Sequence, residues 1–439
     1  MVLTRRLLYT ALALSAVVVL VPRAATIWLC LLGLALLALT DLLLAGSPRA
    51  VRVERIPTEA VRLEHAAAAE TVLHNTGSRR LRGSVKDGWQ PTAGAAEPIH
   101  AADIPGGSEQ RIRTALMPQR RGELSSRHVA IRSVGPLGMA GRQVTHEVAH
   151  TLRVLPPFRS RKHLPSKLQR LRELDGQTAV QLRGAGTEFD SLRDYVRGDD
   201  IRSIDWRATA RKRGTAGHTG HGSDLVVRTW RPERDRRVVL CLDSSRTSAA
   251  RVEDEPRLDT GMEAALLLGV LADGAGDRVD FFSFDRTTGP RVRSTAGALL
   301  NQMVNAMSGI QPELVEADYS RLPAHVKALT SQRSLVVMLT SLDSGALEEG
   351  LLPVLPALTE KHLVLVASVR DPDLDRRAAA RGTVEDTYRA AAAERSLIER
   401  EAMKTQLGSL GVEVVDAAPH DLPPQLADAY IRLKATGRL

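Results

Sequence analysis

The chain has 439 residues, enough for two or three domains with cores of ordinary size. Its net charge of +9 would suit a nucleic-acid-binding protein, but the arginines are spread along the whole chain with few aromatic residues between them, and no nucleic-acid-binding motif accompanies them. An anionic membrane surface as partner explains the same charge, so we do not expect nucleic acid to bind. The chain has two cysteines, Cys30 and Cys241, which cannot form a disulfide framework. This cysteine content fits a protein of a reducing compartment.

Two apolar runs occupy the N-terminal end of the chain. Residues 7–21 form the first run and residues 24–45 the second, with Pro22 and Arg23 between them. Each run is near the lower limit of about 17 to 20 residues for a helix that spans a membrane. The sequence therefore predicts a transmembrane hairpin over residues 1–48 that contacts membrane lipids through residues 7–45. A cleaved signal peptide followed by one anchor is the alternative.

Positive charge predicts the orientation of this hairpin. One arginine, Arg23, lies at the turn of the hairpin. More arginines lie beside its two ends: Arg5, Arg6, Arg49, Arg52 and Arg55. By the positive-inside rule, both ends face the cytoplasm. We expect a multi-pass protein of the cell membrane with cytoplasmic soluble domains.

Residues 49–157 alternate between short β-type runs and turn signals. Apolar and polar residues alternate at 111–113 and 128–131, and glycine and proline cluster at 105–107 and 135–138. This pattern is typical of antiparallel strands joined by tight turns. It predicts a small antiparallel β-sandwich.

One motif in this region matches the HExxH zinc-protease pattern. It runs from His146 to His150, and zinc binding would require a helix that places both imidazoles on one face. The surrounding residues alternate with period two, which indicates a strand. On a strand the two histidines would lie about 13 Å apart, too far to share one ion. We predict a structural strand here.

Residues 158–236 combine a basic connector with a charge-rich segment. In the connector, leucines at helical spacing (Leu164, Leu168, Leu171 and Leu174) predict a helix that bridges two domains. In the segment 183–211, acids and arginines are interleaved with large apolar residues. Phe189, Leu192 and Val196 have the spacing of one helix face, and Ile201 and Ile204 fit a second turn. We predict a folded segment with these apolar residues inside and paired charges outside.

The same segment carries a long sequence pattern, G-x-G-x-E-F-x-x-L-R-x-Y-x-x-G-D-D-x-R-x-I-D-W-x-A-x-A-R. This pattern resembles the signature of the domain of unknown function 58 (DUF58) family. The resemblance implies association with a MoxR-type AAA+ ATPase. Charged and aromatic residues of the segment are then candidates for the docking surface: Glu188, Arg193, Asp199, Asp200, Arg202, Asp205, Trp206 and Arg211. A purely structural role for these paired charges is the alternative.

Residues 237–439 alternate between buried apolar strands and amphipathic helices. A helix is predicted over residues 258–275, and strands are predicted at 238–243, 278–285, 334–343, 362–369 and 412–418. Apolar strands that alternate with helices indicate a mostly parallel sheet with both faces covered. The sequence predicts a doubly wound α/β domain.

The first of these strands ends in Asp243-Ser244-Ser245-Arg246-Thr247. This loop is similar to the D-x-S-x-S loop of von Willebrand factor A domains. The resemblance implies a Mg²⁺ site formed by Asp243, Ser245, Thr247 and Asp343, and oxygen ligands suit that ion. Two features depart from the pattern: Ser341 stands where an acid is expected, and no threonine precedes Tyr319 in the second loop. A capping role for Asp243 in the following turn is the alternative.

The sequence as a whole favours a membrane-anchored, non-catalytic scaffold or adaptor. Its von Willebrand factor A-like domain would bind proteins, and a MoxR-type ATPase would act with it in the assembly or maturation of client proteins. A metal-dependent hydrolase that uses Asp243 and acids of the segment 183–211 is the competing class. An envelope structural protein outside the membrane is a third interpretation.

Overall fold

A computed structural model of the protein describes residues 2–181, 188–196, 201–215, 225–231, 236–293 and 297–439. The chain divides into two compact units. The first consists of Met1–Pro157 with Met307–Gly309, and the second of Phe158–Ala306 and Ile310–Leu439.

The N-terminal end of the first unit is helical. A short strand, β1 (Val2–Leu3), precedes helices α1 (Arg5–Leu20) and α2 (Ala24–Leu44). Within the described residues, one stretch, Ala24–Ala50, is long and apolar enough to cross a membrane. Helix α1 has 16 residues, below the limit of about 17 for a span. The predicted transmembrane hairpin is therefore wrong: the structure supports one candidate span and no multi-pass topology.

The rest of the first unit is built from β-strands. Their bounds are β2 (Val51–Ile56), β3 (Val61–Arg62), β4 (Ala67–Asn75), β5 (Leu81–Trp89), β6 (Ile99–Ile104), β7 (Glu109–Leu116), β8 (Gly122–Val134) and β9 (Ala140–Leu155). One sheet has the order β1-β9-β8-β5-β6 with β3 beside β9, and the other has the order β2-β4-β7. The pairing is antiparallel except between β3 and β9. Leu73 and Ile112 of the second sheet share a core with Val85 and Ile131 of the first, as in a sandwich.

Both histidines of the HExxH motif lie on β9, so the predicted strand is confirmed. His146 Nε2 lies 3.0 Å from the carbonyl oxygen of Pro48. His150 is buried, and its Nε2 lies 2.8 Å from Thr58 Oγ1. The two imidazoles thus have separate structural partners.

A buried ion pair lies inside the β-sandwich. The guanidinium of Arg55 donates two hydrogen bonds of 2.9 Å to Asp87, and both side chains are less than one tenth exposed. Asp87 also accepts hydrogen bonds from Trp89 Nε1, Ser126 Oγ and Thr114 Oγ1. Burial by itself would raise the pKa of Asp87, but the hydrogen bond and charge of Arg55, together with the hydrogen bonds from Ser126 and Trp89, outweigh it and lower the pKa.

The C-terminal end of α2 is attached to the turn between β8 and β9 by Asp41. This residue is fully buried. Its carboxylate accepts hydrogen bonds from the backbone N–H groups of Leu137 (2.7 Å), Met139 (2.6 Å) and Ala140 (2.8 Å). At Gly135 an added Cβ would lie 2.2 Å from the Asp41 carbonyl oxygen, so the close approach of the turn to α2 requires glycine there.

The second unit begins with the connector helix α3 (Leu164–Gln181), which confirms the predicted helix. The next elements are β10 (Glu188–Asp194), α4 (Trp206–Thr215), β11 (Val226–Arg231), β12 (Arg237–Asp243), α5 (Arg246–Ala249), β13 (Arg251–Val252), β14 (Glu255–Pro256), α6 (Arg257–Gly274), β15 (Arg278–Phe284), β16 (Thr288–Arg293) and α7 (Leu299–Ser308). The last elements are α8 (Leu322–Leu329), β17 (Leu335–Leu339), α9 (Ser344–Ala346), α10 (Leu355–Thr359), β18 (Leu363–Val369), α11 (Asp373–Ala379), α12 (Val384–Ser409), β19 (Glu413–Ala417) and α13 (Leu422–Ala435).

The main sheet of this unit has the strand order β16-β15-β12-β17-β18-β19. Strand β16 is antiparallel to β15, and the other pairs are parallel. Successive residues of β12 face opposite sides: Val239 and Cys241 share a core with Met403 of α12, whereas Leu242 lies against Gly261 of α6. Helices therefore cover both faces, and the predicted α/β layers and strands are confirmed. The edge strand β16 was not predicted.

The strand order places a topological switch at β12. The chain goes from β12 to β15 on one side and reaches β17 on the other side. The C-terminal ends of β12 and β17 thus lie side by side, with their connections leaving in opposite directions. In open α/β sheets, a crevice at this position is where ligands bind.

Candidate functional site

The end of β12 carries a buried carboxylate surrounded by hydroxyl groups. Asp243 is fully buried. Its Oδ1 accepts a hydrogen bond from the backbone N–H of Ser245 (2.8 Å), and its Oδ2 accepts hydrogen bonds from Thr340 Oγ1 (2.6 Å) and Thr247 Oγ1 (3.3 Å). Burial raises the pKa of the Asp243 carboxyl, and the hydrogen bonds from Ser245, Thr340 and Thr247 offset part of that rise. The structure thus brings together three of the four predicted metal ligands.

Two members of this cluster were missed by sequence reasoning. Thr340 follows β17, the strand beside β12, and Tyr319 is nearly fully buried. The phenol oxygen of Tyr319 lies 3.0 Å from Thr340 Oγ1 and 3.5 Å from Asp243 Oδ2. Burial, together with the nearby Asp243 charge, raises the pKa of Tyr319, which therefore remains a neutral hydrogen-bond donor. A hydroxyl residue directly after a buried strand was the available signal for Thr340.

The fourth predicted ligand, Asp343, does not join the cluster. It is solvent-exposed, and its carboxylate makes no hydrogen bond to Asp243, Ser245 or Thr247. Among the described residues, no group of three or more His, Cys, Asp or Glu side chains could hold a metal ion. The Asp243 cluster offers one carboxylate, and both of its oxygens already accept protein hydrogen bonds. These residues therefore do not fit a Mg²⁺ ion in this arrangement, because that ion requires near-octahedral oxygen ligation.

We expect Mg²⁺ to leave the thermal unfolding of the protein unchanged. An ion bound at one hundred times its Kd would stabilise the folded state by about 2.7 kcal/mol and raise Tm by roughly 5 to 11 °C. Differential scanning calorimetry with 10 mM MgCl₂ or with EDTA checks this, with Asp243→Asn as the control. A rise in Tm with Mg²⁺ that disappears in Asp243→Asn would contradict the expectation.

The charge-rich segment has a different local structure from the one predicted. Phe189 and Leu192 lie on strand β10, which pairs antiparallel with β11, so the predicted helix over this stretch is wrong. The backbone positions of Glu188 and Arg193 pair with Arg231 and Val227. A turn of 3₁₀ helix follows at Ile201–Ser203, where a second helical turn was predicted. The predicted residues Asp199 and Asp200 lie outside the described residues.

Asp205 organises the start of helix α4. Its Oδ1 accepts hydrogen bonds of 2.9 Å from the backbone N–H groups of Arg207 and Ala208, as an N-cap residue does. Its Oδ2 accepts a hydrogen bond of 2.7 Å from Arg228 Nε of β11. The backbone N–H of Ala208, followed by Arg228, lowers the pKa of Asp205. This predicted docking residue thus has a structural role of its own.

Several large apolar side chains of the segment face solvent, contrary to the prediction that they lie inside. Ile204 is buried. In contrast, Leu192 is 46%, Val196 61%, Ile201 69% and Trp206 66% exposed. Arg202 and Arg211, also predicted for docking, are exposed as well. We call Leu192, Val196, Ile201 and Trp206 the exposed apolar set.

The fold and the polar cluster define the second unit as an α/β domain with hydroxyl and carboxylate groups gathered at the switch point of its sheet. Residues 191–387 match the model of the family described as "Protein of unknown function DUF58". This match supports the family assignment that the sequence pattern predicted. No curated protein matches the chain.

Similarity to solved structures is weak. A PapD-like domain of human CEP192 has 8% identity and a TM-score of 0.17, with 24% of this chain and 84% of that one covered. An inactive mutant of an exo-β-N-acetylglucosaminidase from Vibrio harveyi has 9% identity and a TM-score of 0.21, with 84% and 75% covered. TM-scores this low support neither a fold nor a function for this chain.

Proposed function

We propose that this protein is a membrane-anchored, non-catalytic adaptor that binds other proteins through its second unit. In this proposal α2 is the membrane anchor, the α/β domain is von Willebrand factor A-like, and a MoxR-type AAA+ ATPase is the partner. Together they assemble or mature client proteins. In this proposal the soluble part lies in the cytoplasm, where the net positive charge of the chain suits an anionic membrane surface.

The observation that carries the proposal is the exposed apolar set. Large apolar side chains that are exposed together on a folded protein can mark a surface that a partner covers. Trp206 is 66% exposed at the first position of α4, whose start is fixed by the Asp205 cap. A tryptophan on a rigid element beside charged residues is the composition of an interface hot spot.

The surroundings of Asp243 favour an adaptor over a hydrolase. A general base must reach the proton it abstracts, within about 3.2 Å or through one water molecule. Asp243 has no exposed surface, and Ser245, Thr247 and Thr340 occupy both of its oxygens. The alternative hydrolase would need this carboxylate to be accessible to a substrate.

Replacement of Trp206 with alanine is expected to raise the Kd for the ATPase at least about tenfold, because the largest exposed apolar side chain of the set is lost. The measurement is biolayer interferometry with the full-length chain in nanodiscs and the purified ATPase. Circular dichroism should show unchanged secondary structure, because Trp206 packs little against the fold.

Tyr388→Ala is the matched control for this experiment. Tyr388 is an aromatic residue on α12 with 76% of its surface exposed, and it lies outside the charge-rich segment. Its replacement should leave the Kd unchanged. An equal loss of affinity in both variants would indicate nonspecific hydrophobic binding. Unchanged affinity of Trp206→Ala would show that the exposed apolar set is not the docking surface. Absence of binding by the wild-type chain would refute this partner altogether.

A further inference from the structure

One end of the main sheet carries a set of arginines. The strands β12, β15 and β17 are parallel and begin at the same end of the sheet, and the antiparallel strand β16 ends there. This end lies opposite the Asp243 cluster, which follows the C-terminal end of β12. Arginines lie at or beside these strand ends and after helix α13, and we call them the basic end: Arg236, Arg237, Arg278, Arg293, Arg333 and Arg438.

Within the described residues, three arginines of the basic end have no acidic partner. Arg333 and Arg438 are exposed and Arg236 is half-buried, and none of their side chains forms an ion pair or a hydrogen bond with another described residue. Together with Arg237 they border one small depression. Leu439 also borders it, and its carboxylate offsets at most one of these charges. Positive charges gathered in this way attract anions to the surface.

The other arginines of the basic end surround a single buried acid, Asp280. Nε of Arg237 lies 3.5 Å from Asp280 Oδ2, and the charges of Arg278 and Arg293 also act on this carboxylate. A second buried acid, Asp277, forms an ion pair with a buried lysine of α13. These two acids therefore leave the six arginines with an excess of positive charge.

The shape and composition of the basic end indicate which anion it suits. The depression measures about 20 Å³, whereas sites for free small molecules usually measure roughly 300 to 1,000 Å³. The arginines include no aromatic neighbour on which a nucleic-acid base would stack, among the residues that border the depression. Exposed guanidinium groups bind phosphate groups through paired hydrogen bonds. An open surface of arginines thus suits phosphate groups that are presented side by side from outside.

A membrane surface presents phosphate groups in this way, and the chain itself has a candidate membrane span in α2. A tether to the membrane raises the effective concentration of lipid headgroups around the soluble part of the same chain. An arginine near an anionic membrane surface gains about 1 kcal/mol, or about a fivefold preference for the surface. Several arginines on one face add to this preference.

We propose that the basic end binds the phosphate groups of anionic phospholipids at the membrane surface. Arg333 and Arg438 contact the headgroups, and the half-buried Arg236 and Arg237 add to the positive potential. The second unit then has a lipid-binding face at the end of the sheet opposite Asp243. This inference shares the membrane anchor with the proposed function, but it does not depend on the ATPase partner.

The first test measures the reactivity of individual arginines in the full-length wild-type chain. The chain is placed in nanodiscs of phosphatidylcholine alone or of phosphatidylcholine with phosphatidylglycerol, and phenylglyoxal modifies the accessible guanidinium groups. Mass spectrometry should show that Arg333 and Arg438 react about fivefold more slowly in the anionic nanodiscs. Arg251, an exposed arginine on β13, is the internal control and should react at the same rate in both.

A second test uses variants in the same two kinds of nanodisc. In Arg333→Gln, the anionic lipid should protect Arg438 less, because one contact to the surface is lost. Arg395→Gln is the matched control: Arg395 is an exposed arginine on α12, outside the basic end, and its replacement should leave the protection of Arg438 unchanged. Equal thermal transitions for the wild type and both variants would show that the three chains are equally folded.

The remaining outcomes would overturn the proposal. Equal reaction rates of Arg333 in neutral and anionic nanodiscs would refute lipid binding and leave the arginines as counter-charges for the C-terminal ends of α8 and α13. Equal protection of Arg251 would show that the basic end has no special affinity. Protection by inorganic phosphate in neutral nanodiscs would indicate a site for a free anion instead. The ATPase is absent from these experiments, so each of these results leaves the proposed adaptor function untouched.

Discussion

Replacement of Asp87 with alanine is expected to destabilise the first unit by about 3 to 5 kcal/mol, the usual cost of breaking a buried ion pair from one side. The variant leaves the Arg55 guanidinium buried without its carboxylate, and it also removes the acceptor of Trp89 Nε1 and Ser126 Oγ. Chemical denaturation of the full-length chain in detergent, followed by tryptophan fluorescence, measures this loss. Unfolding of the wild type and the variant at the same denaturant concentration would contradict the expectation.

Asp103→Ala is the matched control. Asp103 is also paired with an arginine of the same unit, Arg80, but both side chains are about half exposed. Water screens such a pair, so its removal should change stability little. The comparison separates the effect of burial from the effect of removing a carboxylate.

The Asp87 ion pair should also give the first unit an acid-sensitive stability. The pKa of Asp87 is lower in the folded state than the value of about 3.9 in the unfolded chain. The contribution of Asp87 to stability is therefore fully present above about pH 4 and is lost as the pH falls through its folded-state pKa. The difference in stability between wild type and Asp87→Ala should shrink below pH 4.

Replacement of Asp41 with alanine is expected to cost about 3 kcal/mol and to loosen the turn between β8 and β9 from helix α2. Three backbone N–H groups, those of Leu137, Met139 and Ala140, lose their charged acceptor. The Ala140 amide is buried and has no access to water in its place. Hydrogen–deuterium exchange in detergent should show faster exchange of residues 137–140 in the variant.

Two further variants serve as controls for this exchange measurement. Asp41→Asn keeps one acceptor oxygen and should give an intermediate exchange rate. Thr40→Ala alters the neighbouring residue, whose exposed hydroxyl bonds the carbonyl oxygen of Leu37 within the same helix, and should leave the turn protected. Unchanged protection in Asp41→Ala would mean that other contacts hold the turn against α2.

Local patterning predicted the elements whose burial is uniform along the chain. The strands β12, β17 and β18 carry continuous buried apolar runs, and such runs between turn signals have few other stable structures. The alternation around His146 and His150 likewise indicated a strand, because period two places alternate residues on opposite faces of a sheet. The DUF58 pattern lies in the sequence itself and needs no fold to be detected.

Prediction failed where a spacing fits more than one structure. The interval between Phe189 and Leu192 suits a helix face, but pairing with β11, more than thirty residues later, makes this stretch a strand. The first apolar run had nearly the composition of a membrane span, yet α1 ends at Leu20 and is too short for one. In both cases the local residue pattern was compatible with two structures. Pairing with β11 decided the first case, and the length of the helix decided the second.

The sequence by itself determined the five parallel strands of the main sheet, the apolar N-terminal helix and the acid at the end of β12, because these depend on neighbouring residues. Only the tertiary structure decided what those residues touch. Tyr319 and Thr340 reach Asp243 from 76 and 97 positions away. In the sequence, Asp41 only interrupts an apolar run near its end. In the structure, its carboxylate accepts hydrogen bonds from backbone N–H groups of a turn whose position is set by the sheet of the first unit. Contacts between residues so far apart depend on strand order, and strand order follows from the packing of the whole sheet.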